Sequence, residues 1–419
     1  MKLTVIGGGS TYTPELADGI GRLLPGLAEL VLVDPDADRL AAVGPVSARI
    51  MAVHGHPARV RWTDSLDDGA DGADAILFQL RIGGQAARQR DETWPLDCGC
   101  VGQETTGAGG FAKALRTVPI VLDLAERAGR RASPSAFIID FTNPVGIVTR
   151  ALLTAGHRAV GLCNVAIGFQ REFAFLLGVA PSRVSLGHVG LNHLTWERSV
   201  GLDGVDVLPE LLDKHADEIA PHTGMPAGFI RHLGLVPSYY LRYYYAHDAV
   251  VESLHGAVTR AEEVARLEAE LLELYADPAL DTKPPQLAQR GGAWYSEAAV
   301  DLLVSLAGDR RDVQVVNTFN HGTLPFLPDD AVIEVPAVIG AAGATPVLID
   351  PVQGFEPLLR GLIAHVYAYE ELALDAAIRG GRDRVYNALL AHPLVGQADR
   401  AECLTGRLLA ENAPYLPWA

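Results

Sequence analysis

Cysteine and methionine are scarce in this chain: 419 residues hold four cysteines and three methionines. Cys98, Cys100, Cys163 and Cys403 form no CxxC pair and no paired zinc-ligand spacing. A dithiol redox motif and a closed zinc site are therefore not written in the sequence. So few thiols, with no signal peptide at the N-terminal "MKLTVIGG", point to a reducing cytoplasm. No uncharged apolar run reaches membrane-spanning length, so no membrane partner is expected. Basic residues are also short, 34 against 51 acidic ones, for a formal charge of −17. That excludes the basic surface a nucleic acid needs. A small anionic ligand stays open, because a few local arginines suffice for one. Internal repeats and low-complexity tracts are missing as well.

What is present is apolar, at 49% of the residues, in a chain long enough for two domains. "KLTVI" (2 to 6) reads as a buried strand, followed by "GGGSTYTPEL" with a proline suited to a first helical turn. "AELVLVD" (28 to 34) is a second strand ending in an acid. Strand, glycine turn, helix, strand and acid make a dinucleotide-binding unit. Gly7, Gly8 and Gly9, with Ser10 and Thr11, bring the backbone and a helix N-terminus to a pyrophosphate. Asp34 suits the ribose hydroxyls and repels a 2′-phosphate, so NAD is expected over NADP. The third fingerprint glycine is replaced by Tyr12, and a plain tight turn is the competing reading.

The alternation continues through "ADAILFQL", a helix at "VPIVLDLAERAGRRA", "AFIIDFTNPVGIVTRALL" and "RAVGLCN". After residue 168 it gives way to extended strands in "SRVSLGHVGLNHLTWERSVGLDG", a charged helix over 259 to 276, a proline-rich loop at "DTKPP" and a largely helical end from "VQGFEP" onward. The expected fold is α/β: a Rossmann-type doubly wound parallel sheet over 1–168, then an α+β substrate-binding domain over 169–419. Lactate and malate dehydrogenases share that layout. Arg81, Asn143 and Cys163 fall at carboxyl ends of the strands, where ligands bind such sheets.

Cys163 lies 30 residues before His193. Thiolate and imidazole suit a borderline transition metal, and only two protein ligands leave positions open for substrate and water. From spacing alone, an inert core thiol and a satisfied histidine are the default. Glu104 sits in a glycine-rich loop, where a solvated surface acid is the ordinary case. Arg81 and Arg88 are either surface charges or a fork for a phosphate or sugar. Tyr239, Tyr240, Tyr243, Tyr244 and Tyr245 cluster, and one tyrosine beside a cation can act as a base.

In order along the chain, "VIGGGSTYTPEL", "RIGGQAARQRDE", "VGQETTGAGGF", "FTNPVGIVT", "GLCNVAIG", "GLNHLTW", "YLRYYY", "RGGAWYSEAA" and "LPDDAVIEVP" resemble glycoside hydrolase family 4 from end to end. Such enzymes use NAD⁺ and a divalent metal, commonly Mn²⁺, and the family is an exception to the two-carboxylate rule of glycosidases. The resemblance implies Cys163 and His193 as metal ligands and Tyr240 as base, with Tyr239 one position away. It implies Asn143 as a contact to a sugar hydroxyl, Arg260 as a contact to a sugar 6-phosphate, and Arg81, Arg88 and Glu104 as further active-site positions. Asn164, after the cysteine, is similar to the 6-phospho-β-glucosidase branch. Ala108, Ala166 and the "NHG" at 320 to 322 depart from the usual pattern.

The implied reaction is hydride removal from carbon 3 of the sugar, loss of the carbon 2 proton, elimination of the aglycone, addition of water and return of the hydride. A homodimer or homotetramer acting on a small phosphorylated glycoside is implied too. The alternatives are an α-specific or unphosphorylated-glycoside member of the family, or a lactate/malate dehydrogenase-like oxidoreductase. A catalytically dead NAD-binding sensor is a third, opposed by intact Cys163, His193 and Tyr240.

Overall fold

A computed structural model describes residues 1–292, 294–349 and 356–418. The parallel half begins as read. β1 (Lys2–Ile6) enters the glycine turn, α1 (Thr13–Leu23) follows with Pro14 in its first turn, and β2 (Glu29–Val33) returns beside β1. After α2 (Ala37–Val53) comes β3 (Arg59–Thr63), an edge strand that the apolar pattern did not announce. Its sequence alternates charged and apolar residues and stays half-exposed, so it carries no apolar run. α3 (Leu66–Ala70), β4 (Ala75–Phe78), α4 (Gly84–Thr93), α5 (Gly107–Gly129), β5 (Phe137–Asp140), α6 (Val145–Thr154), β6 (Ala159–Gly161) and α7 (Val165–Leu176) complete this half. Strands β4 and β5 pair in parallel with both neighbours, and β6 pairs in parallel with β5 and antiparallel with a later strand. They are wholly buried, as strands covered on both faces must be.

The second half is antiparallel. β7 (Val184–Leu191) and β8 (Leu194–Leu202) form a hairpin, and β9 (Val205–Asp206) and β10 (Val236–Pro237) add to β8. β11 (Asp312–Phe319) and β12 (Val332–Gly340) pair along their whole length, and β13 (Gly343–Pro346) pairs with β12. These strands continue the first sheet in the order β10-β8-β7-β12-β11-β6-β5-β4-β1-β2-β3. Two strands from near the C-terminus, β11 and β12, thus lie between β6 and the hairpin.

The charged helix runs over Arg260–Tyr275, opened by a capping box between Thr259 and Glu262. The C-terminal part is helical over Pro357–Arg379, Arg382–Ala391 and Ala398–Asn412, while residues 352–355 of that reading lie outside the described ones. The proline-rich loop at 281–285 leads into a short helix, Gln286–Gln289, and the segment through Gly292 docks on the glycine turn. Arg290 Nε donates to Thr11 Oγ1 at 2.7 Å, and the Tyr12 hydroxyl donates to the Gly292 carbonyl at 2.6 Å. Cys98 and Cys403, too far apart in sequence for spacing to pair them, form a disulfide, leaving Cys100 and Cys163 free. No helix of the described residues is long and apolar enough to cross a membrane.

Candidate active site

The glycine turn is closed by tight approach. A Cβ on Gly7 would meet the Gln79 carbonyl at 2.7 Å, one on Gly8 the Leu32 Cβ at 2.7 Å, and one on Gly9 the Asp34 carboxylate at 2.8 Å. Gly7 also has φ +89°, which side chains disfavour. The Gly9 N–H donates to Asp34 Oδ2 at 3.0 Å and the Asp36 N–H to Oδ1 at 3.0 Å. These bonds fix the Asp34 carboxylate at the end of β2 and use only part of its acceptor capacity. Ser10 Oγ accepts from the Tyr12 N–H at 3.2 Å, and Thr11 is fully buried beneath the turn. Such a cradle fits a dinucleotide: small residues where the backbone must come close, a helix start behind them, and an acid at the next strand end.

Cys163 and His193 come from different halves of the sheet. Cys163 follows β6 and faces the start of α7. Burial and the Glu334 carboxylate push its thiol up, against the Val165 and Asn164 N–H groups and the Asn192 amide, which favour a thiolate. His193 occupies the hairpin tip between β7 and β8, in the left-handed region at φ 62°. Burial depresses its pKa to about 4, so the ring is neutral near pH 7. Its Nδ1 lies 3.0 Å from Thr105 Oγ1, whose hydroxyl is 2.9 Å from the Gln103 side-chain oxygen Oε1. Thr105 therefore donates to Gln103 and accepts from Nδ1–H, which leaves the Nε2 lone pair for a cation. Asn192, next to His193, sits close to Cys163. A soft thiol and a neutral imidazole fit a borderline divalent metal. Among the described residues no third His, Cys, Asp or Glu completes a metal-binding group, as suits an open site.

Tyr240 stacks on the His193 ring at 3.6 Å between centroids. Burial, with Cys163, Tyr243 and Glu104 nearby, holds its phenol well above 10. Tyr239 lines the same cavity but stands edge-on to Tyr240 rather than on His193: it is 40% exposed, with the Arg242 guanidinium 4.0 Å from its ring centre. Tyr244 stacks near His392, and Tyr245 packs on Phe229.

Glu104 is buried, not a solvated loop acid. Arg81 holds it directly, Lys113 Nζ lies at 2.8 Å and Arg88 Nε at 3.1 Å. Against the cost of burial, these cations keep the Glu104 carboxyl well below the usual carboxylate range. Burial lowers Lys113 to about 8 despite the Glu104 charge. Arg88 also pairs with Glu92 at 2.7 Å. Lys113, Glu92 and Arg242 were not foreseen; the signal for Lys113 was a single lysine in the otherwise apolar start of α5.

A cavity of about 710 Å³ opens over this cluster. Arg88, Glu104, Asn143, Tyr240, Arg242 and Arg260 all line it, whereas Arg81 supports Glu104 from outside the lining. The Asn143 Oδ1 is buried with no partner among the described residues, as expected of a group awaiting a ligand. Arg260 stands at the rim, 43% exposed in its side chain, bonded to Glu263 at 2.9 Å and the Gln289 carbonyl at 2.6 Å. Asn164 stands just before α7, beside Cys163.

Comparison with known proteins places the chain in context. Residues 2–179 match the model described as family 4 glycosyl hydrolase, and residues 188–395 match its C-terminal domain. A probable 6-phospho-beta-glucosidase of Bacillus subtilis is 37% identical, over all of this chain and 97% of that protein. The solved 6-phospho-beta glucosidase of Thermotoga maritima, with manganese, NAD⁺ and glucose-6-phosphate, superposes with a TM-score of 0.92 at 32% identity, covering 99% of each chain. Malate dehydrogenase of Aeropyrum pernix shares the fold at a TM-score of 0.54 and 15% identity, over 89% of this chain and 97% of that one.

Proposed function

The chain belongs to family 4 of the glycosyl hydrolases, and we propose that it hydrolyses 6-phospho-β-glucosides with NAD⁺ and a divalent metal such as Mn²⁺. The observation that carries this reading is the single chamber shared by Tyr240, Asn143, Glu104 and Arg260, with His193 stacked beneath Tyr240. When bound, the dinucleotide supplies a hydride acceptor and the cation a Lewis acid.

The chain's own residues then have distinct tasks. Gly7, Gly8 and Gly9 admit the pyrophosphate, with Ser10 and Thr11 shaping the turn, and Asp34 takes the ribose hydroxyls. Cys163 and His193 would hold the cation, through a thiolate and the Nε2 left open by the Thr105 contact to Nδ1. Asn143 receives a sugar hydroxyl at its unpartnered oxygen. Tyr240 would remove the carbon 2 proton as the phenolate; burial raises its pKa and makes that form scarce, so a cation held nearby would be needed to stabilise it. Arg88 and Glu104 contact the sugar, and Arg81 and Lys113 keep Glu104 ionised. Arg260 meets the 6-phosphate at the rim, and Asn164 supports the β-glucoside branch. The division into a nucleotide domain, 1–168, and a substrate domain, 169–419, belongs to the same reading.

A dehydrogenase with this fold would need no metal. The test is a panel of α- and β-glucosides and galactosides, phosphorylated and not, with NAD⁺ and Mn²⁺. Aryl 6-phospho-β-glucosides should be cleaved, and omission of either cofactor should stop cleavage. Turnover that survives chelation in Cys163→Ser would overturn the mechanism. We also propose a homodimer or homotetramer, readable from scattering mass; the cytoplasmic setting expected from the sequence is opposed by one observation. The Cys98–Cys403 bridge weighs against a reducing compartment, where disulfides are rare.

A further inference from the structure

The two proposed metal ligands sit on strands that are not neighbours. β6, which leads into Cys163, and the β7/β8 hairpin, which carries His193, are separated by β11 and β12. Something in the two intervening strands must set the distance between thiol and imidazole. The pairing register shows what stands there. On β11, Asn317 lies opposite Gly161 of β6. On β12, Glu334 lies opposite Asn317 on one side and Gly190 of β7 on the other.

Glu334 is a carboxylate in the apolar strand segment "VIEVPAVIG", 1% exposed. Its Oε2 accepts from Asn192 Nδ2 at 2.8 Å and from Asn317 Nδ2 at 3.0 Å. Its Oε1 lies 3.1 Å from His188 Nε2, and the same histidine's Nδ1 lies 2.6 Å from Glu197. One carboxylate thus reaches the neighbour of His193 and the residue facing the Cys163 strand. Asn192 also sits close enough to Cys163 for its amide to favour the thiolate. The tether acts where the backbone needs holding, because His193 sits at positive φ on a two-residue tip. A buried acid in a sheet core is costly unless it is paired and hydrogen-bonded, and His188, Asn192 and Asn317 supply those partners to Glu334.

We propose that Glu334 is a positioning residue of the metal site: through Asn192 and Asn317 it fixes the spacing of Cys163 and His193 and places a negative charge behind both. His188, braced by Glu197, holds Glu334 in turn. This inference rests on the reading that Cys163 and His193 bind the cation.

The test is Mn²⁺ binding to the full chain with NAD⁺ bound and no sugar, followed by paramagnetic resonance of free Mn²⁺. Loss of an outer-shell partner weakens metal binding by roughly 10–100-fold, and that loss is expected for Glu334→Gln with NAD⁺ affinity unchanged. With Co²⁺ as probe, the thiolate-to-cobalt absorption should shift or weaken at saturation. Asn192→Ala, at the hairpin tip, keeps Glu334 bonded to Asn317 and His188 and should show the same weakening if the first variant does not fold. A lowered melting temperature with unchanged Mn²⁺ affinity and an unchanged cobalt spectrum in either folded variant would overturn the proposal. Cys163→Ser separates the two readings. If it leaves Mn²⁺ binding intact, the assignment of the metal site fails; if it abolishes binding while Glu334→Gln does not, only the role of Glu334 fails.

Discussion

The Tyr240 ring lies flat on the His193 ring, with centroids 3.6 Å apart and planes 7° from parallel. A phenol so placed sits directly over the imidazole proposed to hold the cation, and no other tyrosine of the cluster does. Tyr240→Phe keeps the stack and removes only the hydroxyl. General-base catalysis is worth about 10²–10⁴-fold, and the variant should lose turnover on that scale. Exchange of the carbon 2 hydrogen with deuterated solvent should be lost with it, while Mn²⁺ affinity stays near native. A variant that still exchanges that hydrogen would move the base to Tyr239.

Much of this was legible in the sequence, for identifiable reasons. The parallel strands are short apolar runs punctuated by glycine, and β1, β2, β4, β5 and β6 stand where those runs fall. The glycine turn and Asp34 carry their chemistry in local spacing. β3 escaped because an edge strand needs no apolar run. What local spacing cannot encode is partnership across the sheet. Glu104 looked like a solvated loop acid because Lys113 and Arg81, which hold it, are distant in the fold's logic though near in sequence. Glu334 was visible as a charge inside an apolar strand, yet its meaning depends on β12 lying beside the hairpin.

Arg260 is expected to read the phosphate. Its guanidinium is half-exposed at the cavity rim, where Glu263 and the Gln289 carbonyl engage it. A hydrogen bond to a charged group is worth about 1.5–3 kcal/mol, which corresponds to roughly 10–150-fold in KM. Arg260→Ala should show that loss on aryl 6-phospho-β-glucosides. Equal losses on unphosphorylated glucosides would remove the phosphate role.

The Cys98–Cys403 bridge joins the segment after α4 to the helix Ala398–Asn412. Thiol titration in denaturant, on protein prepared without reductant, should find two free thiols, Cys100 and Cys163, and four after reduction. Because the closed loop spans 305 residues, reduction should lower the melting temperature. Four thiols before reduction would show that the pair is not formed in the compartment of expression.

Asp140 offers a pH test on β5, the strand beside β6. It ends β5, fully buried, and accepts from the Thr142 N–H at 2.8 Å and the Thr149 hydroxyl at 3.3 Å. Burial raises its carboxyl to about 8 against those hydrogen bonds, and none of the groups that act on it is a cation. The folded chain therefore keeps a proton that the unfolded chain, with a carboxyl near 3.8, gives up. The folded state binds more protons between these values, so this group's contribution to stability falls as pH rises through that window. Below it both states are protonated, and above it both are ionised. Asp140→Asn keeps an acceptor for the Thr142 N–H and has no proton to lose. Urea midpoints of the variant should therefore gain on the native chain as pH climbs from 4 towards 8, and the gap should level off beyond. Parallel midpoint curves for the two proteins would mean that Asp140 is ionised in the fold and that an unseen partner compensates its charge.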